Sequence, residues 1–418
     1  MTMLRPSPDS QFLARNTRGI AQHDAEPQID VPGMRLYRLG RVQAMLKQRS
    51  LGGVLLYDPI NVRYANGSSN MQVWILHNQH RYCWVPAEGG TVLFDYPPAV
   101  HLSEHLETIR EVRPARTWTY FGAGDNYEER VRLWADELVD VIRETCGGDL
   151  SVAADHLDPC GARALEERGC TIANGQEVME RARSIKSDDE IQAMLVSISV
   201  CEAGMAKMHE NLRAGITENQ LWSHLHQVNI AMGGEWIETR LLASGGRTNP
   251  WFRECSDRII RAGELVAFDT DLIGPFGYCS DISRTWFCGP GKPTDEQKRL
   301  YAYAHEQIET NIQEMRPGRS FREIAESSWR VPNEFMARRY GSMAHGVGMA
   351  DEWPGLTFSD KAHMAMPGVL EEGMTVCVES YIGAEDGNEG VKLEEQILVT
   401  QEGPQRLSTY PFDDALLG

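Results

Sequence analysis

Acidic residues recur in this chain at the ends of short apolar runs, with a spacing that suits a metal site. In Phe268-Asp269-Thr270-Asp271-Leu272-Ile273-Gly274-Pro275-Phe276-Gly277-Tyr278-Cys279-Ser280-Asp281, the preceding apolar run from Leu265 reads as a buried strand that leads straight into two aspartates. Alternate residues of a strand share a face, so Asp269 and Asp271 are expected to point together. Gly274-Pro275-Phe276-Gly277 carries turn chemistry that returns the chain with Asp281 beside that pair. Three carboxylates gathered at the end of a buried hairpin repel one another and are costly to desolvate. A divalent metal removes both penalties.

The pattern repeats. Leu370-Glu371-Glu372-Gly373-Met374-Thr375-Val376-Cys377-Val378-Glu379 is again a glycine, an apolar strand and an acid, and Val391-Lys392-Leu393-Glu394 places another acid fifteen residues after Glu379. Between these stretches Ala344-His345-Gly346-Val347-Gly348 offers one imidazole in a glycine-rich setting. Asp269, Asp271, Asp281, His345, Glu379 and Glu394 together form a hard, oxygen-rich donor set with one nitrogen, which suits two ions such as iron, manganese, zinc or cobalt. The competing reading of each acid alone is a solvated loop tip in an acidic protein, and the recurrence of the pattern weighs against it. Cys279 and Cys377 lie inside these stretches and read as small core residues.

The bulk composition narrows the possibilities. A chain of 418 residues has room for two domains. A net charge of −19 argues against nucleic acid and anionic membrane surfaces as partners, since both demand basic patches. No apolar run approaches the roughly 20 residues needed to span a bilayer, and the N-terminus lacks the apolar core of a secretory signal. Nine cysteines without paired spacing point to reduced thiols and a cytoplasmic location.

The elements that must position the acids follow from periodicity. Residues 1–33 are poor in large apolar groups and read as a loose tail or an arm packed on a partner. Residues 34–180 alternate helices and strands: a helix over 35–49, strands at 53–57, 81–85 and 91–94, a helix over 127–145 and a strand at 151–154. This is an α/β domain. Residues 181–418 form the second domain, of α/β (α+β) type. Its helix starts are marked by Ser187 with Glu190, Thr217 with Gln220 and Thr294 with Gln297, with a further start at Ser320. Leu212-Arg213-Ala214-Gly215-Ile216-Thr217 echoes Met315-Arg316-Pro317-Gly318-Arg319-Ser320, and each is followed at a similar distance by a strand ending in an acid. Two related halves donating acids to a shared site is the simplest account.

The order Asp, Asp281, His345, Glu379, Glu394 resembles the pita-bread family, which comprises methionine aminopeptidase, Xaa-Pro aminopeptidase, prolidase and creatinase. The resemblance covers residues from about 183 to 402, and the N-terminal domain resembles that of creatinase and prolidase. It implies a catalytic domain with pseudo-two-fold symmetry and a homodimer. The departures point elsewhere than peptide cleavage. Asp269 lies twelve residues before Asp281 and Asp271 ten, one on either side of the peptidase spacing. The peptidases place a histidine on the loop that here reads Ser244-Gly245-Gly246-Arg247-Thr248-Asn249-Pro250-Trp251-Phe252, and a second in a His-Glu-x-Pro motif that here reads Asp351-Glu352-Trp353-Pro354.

This combination resembles the dimethylsulfoniopropionate (DMSP) lyase branch of the family, which has a paired Asp-x-Asp, an acid six residues after the metal histidine and a tyrosine shortly before it. Tyr340, Asp351 and the six metal ligands match those positions. The resemblance implies cleavage of DMSP to dimethyl sulfide and acrylate, with iron as the metal and zinc or manganese as alternatives. A dinuclear metallohydrolase of the Xaa-Pro aminopeptidase or creatinase type is the other reading. For the lyase, Asp351 is the expected base. Tyr340, Trp353 and Trp74 are expected to hold the sulfonium by cation–π attraction, against a structural reading of each tryptophan as core or interface. Tyr278 is a further aromatic in the first hairpin. Arg247 and Arg284 are cationic groups for a carboxylate or, on the plainer reading, structural ion pairs. Five carboxylates against two divalent ions would leave one negative charge to attract a cationic substrate.

Overall fold

The computed structural model describes residues 29–418. The expected arm at residues 1–33 therefore lies outside the described residues except at its end, where Asp30 already caps a helix by accepting from the Gly33 amide at 3.0 Å. Two compact units follow, Asp30–Arg183 and Ser184–Gly418.

The first unit runs α1 (Val31–Gln48), β1 (Gly53–Leu56), α2 (Pro59–Asn66), α3 (Gln72–His77), β2 (Tyr82–Pro86), β3 (Thr91–Asp95), β4 (Ile109–Pro114), α4 (Tyr127–Cys146), β5 (Ser151–Ala154), α5 (Pro159–Glu166), β6 (Thr171–Asn174) and α6 (Gly175–Arg183). Its mixed sheet has the order β4-β3-β2-β1-β5-β6. Trp84, Phe94, Trp134 and Leu138 pack in its core, where the apolar stripe of α4 meets the sheet.

The second unit runs α7 (Asp188–Asn211), α8 (Glu218–Ala231), β7 (Trp236–Ile237), β8 (Leu242–Ser244), β9 (Leu265–Phe268), β10 (Leu272–Ile273), β11 (Cys279–Ser280), β12 (Arg284–Phe287), α9 (Asp295–Ile312), α10 (Phe321–Ser327), β13 (Ala344–Val347), β14 (Asp351–Leu356), β15 (Thr375–Ile382), β16 (Val391–Thr400), β17 (Gly403–Arg406) and α11 (Asp414–Leu417). Three sheets result, β11-β10-β7, β12-β9-β8 and β14-β13-β15-β16-β17. All four helices from α7 to α10 open with a reciprocal capping box, at Ser187, Thr217, Thr294 and Ser320, so two orphan amides are satisfied at each start. The long helix α7 has 24 residues and a mean hydropathy of 1.2, enough by length and composition to cross a bilayer, contrary to the expectation that no such run exists. Of its most apolar 18 residues 67% are buried, which gives that hydropathy a core role.

The internal echo is visible bond by bond. Gly215 N donates to Ile260 O and Ile260 N to Ile216 O; in the other half Gly318 N donates to Leu370 O and Leu370 N to Arg319 O. Thr217 bridges Ile259 as Ser320 bridges Val369. Gly263 and Gly373 both hold positive φ, 87° and 86°, in the turn that launches β9 and β15. Those strands deliver Asp269 and Glu379, so two homologous turns put one acid each at the centre of the unit. Helix α9 covers the long hairpin β15–β16 through Leu300, Ala304 and Ile308 against Val376, Val378, Leu393 and Ile397.

Candidate metal centre and substrate pocket

The first hairpin gathers its aspartates differently from the expectation. Strand β9 stops at Phe268, and Asp271 has a φ of +35°, so Asp269 and Asp271 do not share a face by strand alternation. They converge because Asp271 and Asp281 flank the base of the β10–β11 hairpin, in which Leu272 pairs with Ser280. The left-handed backbone at Asp271 is strained for a residue with a side chain. It is held by Thr239 Oγ1, which donates to Asp271 Oδ2 at 2.6 Å, and by Glu238 N, which donates to Asp271 O at 2.9 Å. The Ser283 hydroxyl donates to Asp269 Oδ1 at 2.7 Å. The result is that carboxylate oxygens of Asp269, Asp271 and Asp281 lie within 4.8 Å of one another.

The second half supplies the rest. Glu379 on β15 and Glu394 on β16 are directly paired across the hairpin, a like-charge opposition that is unfavourable without a cation between them. His345 on β13 sits beside β15, opposite Cys377. Its Nδ1 lies 2.9 Å from the Gly346 carbonyl, an arrangement that puts a proton on Nδ1 and leaves Nε2 as a ligand. That Nε2 is 3.3 Å from Asp281, 3.1 Å from Glu379 and 3.8 Å from Glu394.

A residue not singled out from the sequence lies beneath this cluster. Lys392 alternates with Glu394 on β16, so the two share a face, and its fully buried ammonium is 3.1 Å from Asp269, 2.8 Å from Glu379 and 3.0 Å from Glu394. It also donates to Ser283 Oγ at 2.8 Å. Burial pulls the Lys392 ammonium toward neutrality, but Asp269, Glu379 and Glu394 outweigh it and hold the group charged. A lysine two residues before a candidate ligand, on the same face of a buried strand, was the signal available for it. The ammonium also corrects the charge expected of the site. Five ionised carboxylates and one ammonium would carry four negative charges, which two divalent ions would neutralise, leaving the cluster none to attract a cation.

The residues present fit metal. Asp281 Oδ1, Glu379 Oε1 and Glu394 Oε1 are buried oxygens without a hydrogen-bond donor assigned to them, and they gather around His345 Nε2, which lies 3.1 Å from Glu379 Oε1. The ion-free cluster cannot ionise fully: burial first, then the neighbouring charges, raise Asp271 to about 8 and push Asp281 and Glu394 well above the ordinary carboxylate range. Asp269 resists the same burial because Lys392 holds it down, at about 2. Cys377 is close to these groups, but burial keeps its thiol protonated and its sulfur donates toward the Asp281 carbonyl at 3.6 Å.

A cavity of about 400 Å³ opens over the cluster, lined by Asp269, Asp271, Asp281 and His345 on one side and by Tyr340, Phe252, Leu241, Glu238 and Glu254 on others. Asp351, the first residue of β14, lines it too, with its carboxylate 3.8 Å from His345 Nδ1. Burial raises the Asp351 carboxyl, with Glu379 and Asp269 adding to the shift and His345 opposing it. The turn before Asp351 is anchored by its neighbour: buried Glu352 pairs with buried Lys186 at 2.9 Å and accepts from the Met349 amide at 3.1 Å. A Cβ on Gly348 would meet the Glu352 carboxylate at 2.4 Å, so only glycine fits there.

The other expected binders fall elsewhere. Trp353 does not line the cavity and packs edge-on against Phe321 at 5.3 Å, in the core beside α10, because it lies in the bulge of β14 between Glu352, paired with Gly346, and Gly355, paired with His345, which breaks the alternation that would put it on the face of Asp351. Trp74 belongs to the N-terminal unit, where it packs on His80 and Tyr96, whereas the lining residues of the cavity belong to the C-terminal unit. Tyr278 is buried, and its hydroxyl donates to Glu190 at 2.9 Å. Arg247 is paired with Glu218, and Arg284 with Glu395 at 2.6 Å. Of the pocket aromatics, Tyr340 was expected and Phe252 was not.

Comparison with known proteins agrees with this geometry. Residues 192–401 match metallopeptidase family M24, and residues 38–185 match the creatinase/prolidase N-terminal domain. The dimethylsulfoniopropionate lyase DddP of Roseovarius nubinhibens is 43% identical over 93% of this chain and 89% of its own length, and that of Roseobacter denitrificans 41% identical over 93% and 88%. The Xaa-Pro dipeptidase of Pyrococcus furiosus is 23% identical over 89% of this chain and 97% of its own. Among solved structures, an Xaa-Pro dipeptidase from Bacillus anthracis superposes with a TM-score of 0.73 at 22% identity, covering 91% of this chain and 99% of the other, which establishes the shared fold. The chain belongs to metallopeptidase family M24, carries the creatinase/prolidase N-terminal domain, and within that family shares most of its length with the DMSP lyases.

Proposed function

We propose that this protein is a metal-dependent carbon–sulfur lyase that cleaves DMSP to dimethyl sulfide and acrylate. The observation that carries the reading is Asp351: a carboxylate lines the cavity beside the metal ligands where a peptidase of this family keeps a histidine. Among the described lining residues His345 is the one imidazole, and its Nε2 faces the ligand carboxylates. That leaves no second histidine in the cavity to shuttle protons for peptide hydrolysis. The likeness to the two lyases, at 41–43% identity, supports the same reading.

Asp269, Asp271, Asp281, His345, Glu379 and Glu394 would hold two divalent ions, and the oxygen-rich set with one nitrogen suits iron, with zinc and manganese as alternatives. When bound, the ions supply positive charge to the substrate carboxylate, where negative charge builds as the neighbouring proton leaves. Asp351 takes that proton. The C–H electron pair becomes the new C=C bond, the C–S pair departs with sulfur, and dimethyl sulfide leaves neutral without help from an acid. A carboxyl with a raised pKa is the stronger base for this task. The Lys186–Glu352 pair and Gly348 fix the turn that aims it.

The protein works as a homodimer in the cytoplasm on this proposal, with Trp74 as an aromatic wall offered to a second subunit. Nine free thiols support the reducing compartment, and the partly exposed Trp74 beside exposed Met71 and Val73 supports the subunit contact. Headspace gas chromatography of metal-loaded protein with DMSP tests the activity. Dimethyl sulfide from the wild type and at least about 100-fold less from Asp351→Ala is expected. Gas from both proteins removes Asp351 from its role, and hydrolysis of an Xaa-Pro dipeptide without gas refutes the lyase.

A further inference from the structure

Two aromatic rings line the cavity, and they are not equivalent. Tyr340 already has a buried cation beside it, the Lys392 ammonium 4.7 Å from its ring centroid. Phe252 lies stacked on Tyr340, with centroids 5.2 Å apart and planes 24° from parallel. Among the described residues no lysine or arginine is recorded over the Phe252 ring. Phe252 is 61% exposed, and its backbone holds a φ of +71°, a left-handed conformation that costs a residue with a bulky side chain. A large apolar side chain kept exposed on a strained backbone at the rim of a cavity contributes little to the core.

The loop on either side is tied down, so the strain is imposed and the ring stays in place. Before Phe252, Asn249 Nδ2 donates to the Ala384 and Gly387 carbonyls at 2.7 and 2.9 Å and Trp251 is buried against Tyr381; after it, Glu254 forms a β-bridge with Leu241 and Cys255 N donates to Arg240 O at 2.8 Å. Glu238 and Glu254 bring negative charge to the same rim, Glu254 shared with Arg240 at 3.1 Å.

We propose that Phe252 is the residue by which this site selects an onium head group: a sulfonium or quaternary ammonium carried on a short carboxylate binds against the Phe252 ring, with Tyr340 as the wall that orients it. The proposal rests on the lyase reading for the identity of the substrate, but the selectivity stands on the cavity alone. Cation–π attraction holds the head group, so a ligand with a neutral head of the same shape gains only ordinary contact.

The test is calorimetric binding to the metal-loaded protein of two probes: β-alanine betaine and its neutral carbon isostere, with a tert-butyl group in place of trimethylammonio. Phe252→Leu keeps bulk and removes the π face, and at this exposed position it leaves folding intact. Betaine binding is expected to weaken about 5- to 30-fold in Phe252→Leu and to be retained in Phe252→Trp, while the isostere changes by about two-fold at most. Equal loss for both probes, or no loss of betaine binding, overturns the proposal. Dimethyl sulfide release is read in parallel. Discrimination between the probes that is lost in Phe252→Leu, with no gas released by the wild type, supports Phe252 and refutes the lyase reading; gas release with an unchanged KM in Phe252→Leu refutes Phe252 alone.

Discussion

Replacing Lys392 with methionine removes one charge and little volume from the floor of the metal centre, and the structure sets the size of the effect. The ammonium is fully buried and sits 2.8–3.1 Å from three carboxylates, two of them paired directly across the β15–β16 hairpin. Removing one partner from such an arrangement leaves buried negative charge uncompensated, at a cost of about 3–5 kcal/mol. At roughly 2–4 °C per kcal/mol for a unit of this size, the metal-free Lys392→Met protein should melt about 6–20 °C below the metal-free wild type. Divalent ions would supply positive charge to the same carboxylates, so saturating metal should return more than about half of that loss. Differential scanning calorimetry of chelated and reloaded protein measures both values. A metal-free variant within about 2 °C of wild type would refute the idea that Lys392 carries the charge balance of the site.

The remaining predictions concern the same unit. Asp271 is raised from 3.8 to about 8 in the ion-free site, so the stability that its protonated form provides is complete below about 3.8 and lost as pH rises through about 8. Metal-free protein should therefore melt progressively lower across that range and metal should flatten the slope; chelated protein more stable at the alkaline end contradicts this. Breaking the buried Lys186–Glu352 pair with Lys186→Met should cost about 3–5 kcal/mol by urea denaturation, and adding Glu352→Leu should recover most of it, whereas additive losses would mean that the pair is not coupled. Trp353→Phe should cost about 1 kcal/mol through its contact with Phe321 and leave the KM for DMSP within about two-fold; a KM rise like that expected of Phe252→Leu would put Trp353 back in the pocket.

Much of the framework around the candidate site was legible in the chain because its candidate ligands lie at places where local rules are strong. Glycine turns, short apolar strands and capping boxes marked the starts and stops of the elements that carry Asp269, Asp281, Glu379 and Glu394, and the structure has those elements close to the expected positions. The failures share a different cause. Asp271 was assigned to strand alternation, but the strand ends at Phe268 and a left-handed residue follows, which no periodicity encodes. Trp353 was placed near the pocket by its nearness to Asp351 in sequence, although its ring turns into the core against Phe321. Phe252 lies in a loop whose conformation depends on Asn249 reaching Ala384 and Gly387, contacts made far along the chain. Lys392 was present in the strand that was read for Glu394, but a buried lysine becomes meaningful only when its three carboxylate neighbours, from two halves of the fold, are seen around it.

The two halves of the C-terminal unit also explain how the fold keeps its metals while the chemistry beside them differs. The ligands come from the homologous turns and strands, the parts bound by the Gly215–Ile260 and Gly318–Leu370 hydrogen bonds and the long buried hairpin. The residues proposed for base and head-group selection, Asp351 and Phe252, sit outside that framework, one at the start of an edge strand and the other on a loop rim. Changing them alters what is bound and which proton is removed without disturbing the buried carboxylates. Lys392 belongs to the framework and answers to a different demand: it would neutralise the charge that two divalent ions leave over, so attraction for a cationic substrate falls to the groups around the centre, Asp351, Glu238, Glu254 and the face of Phe252.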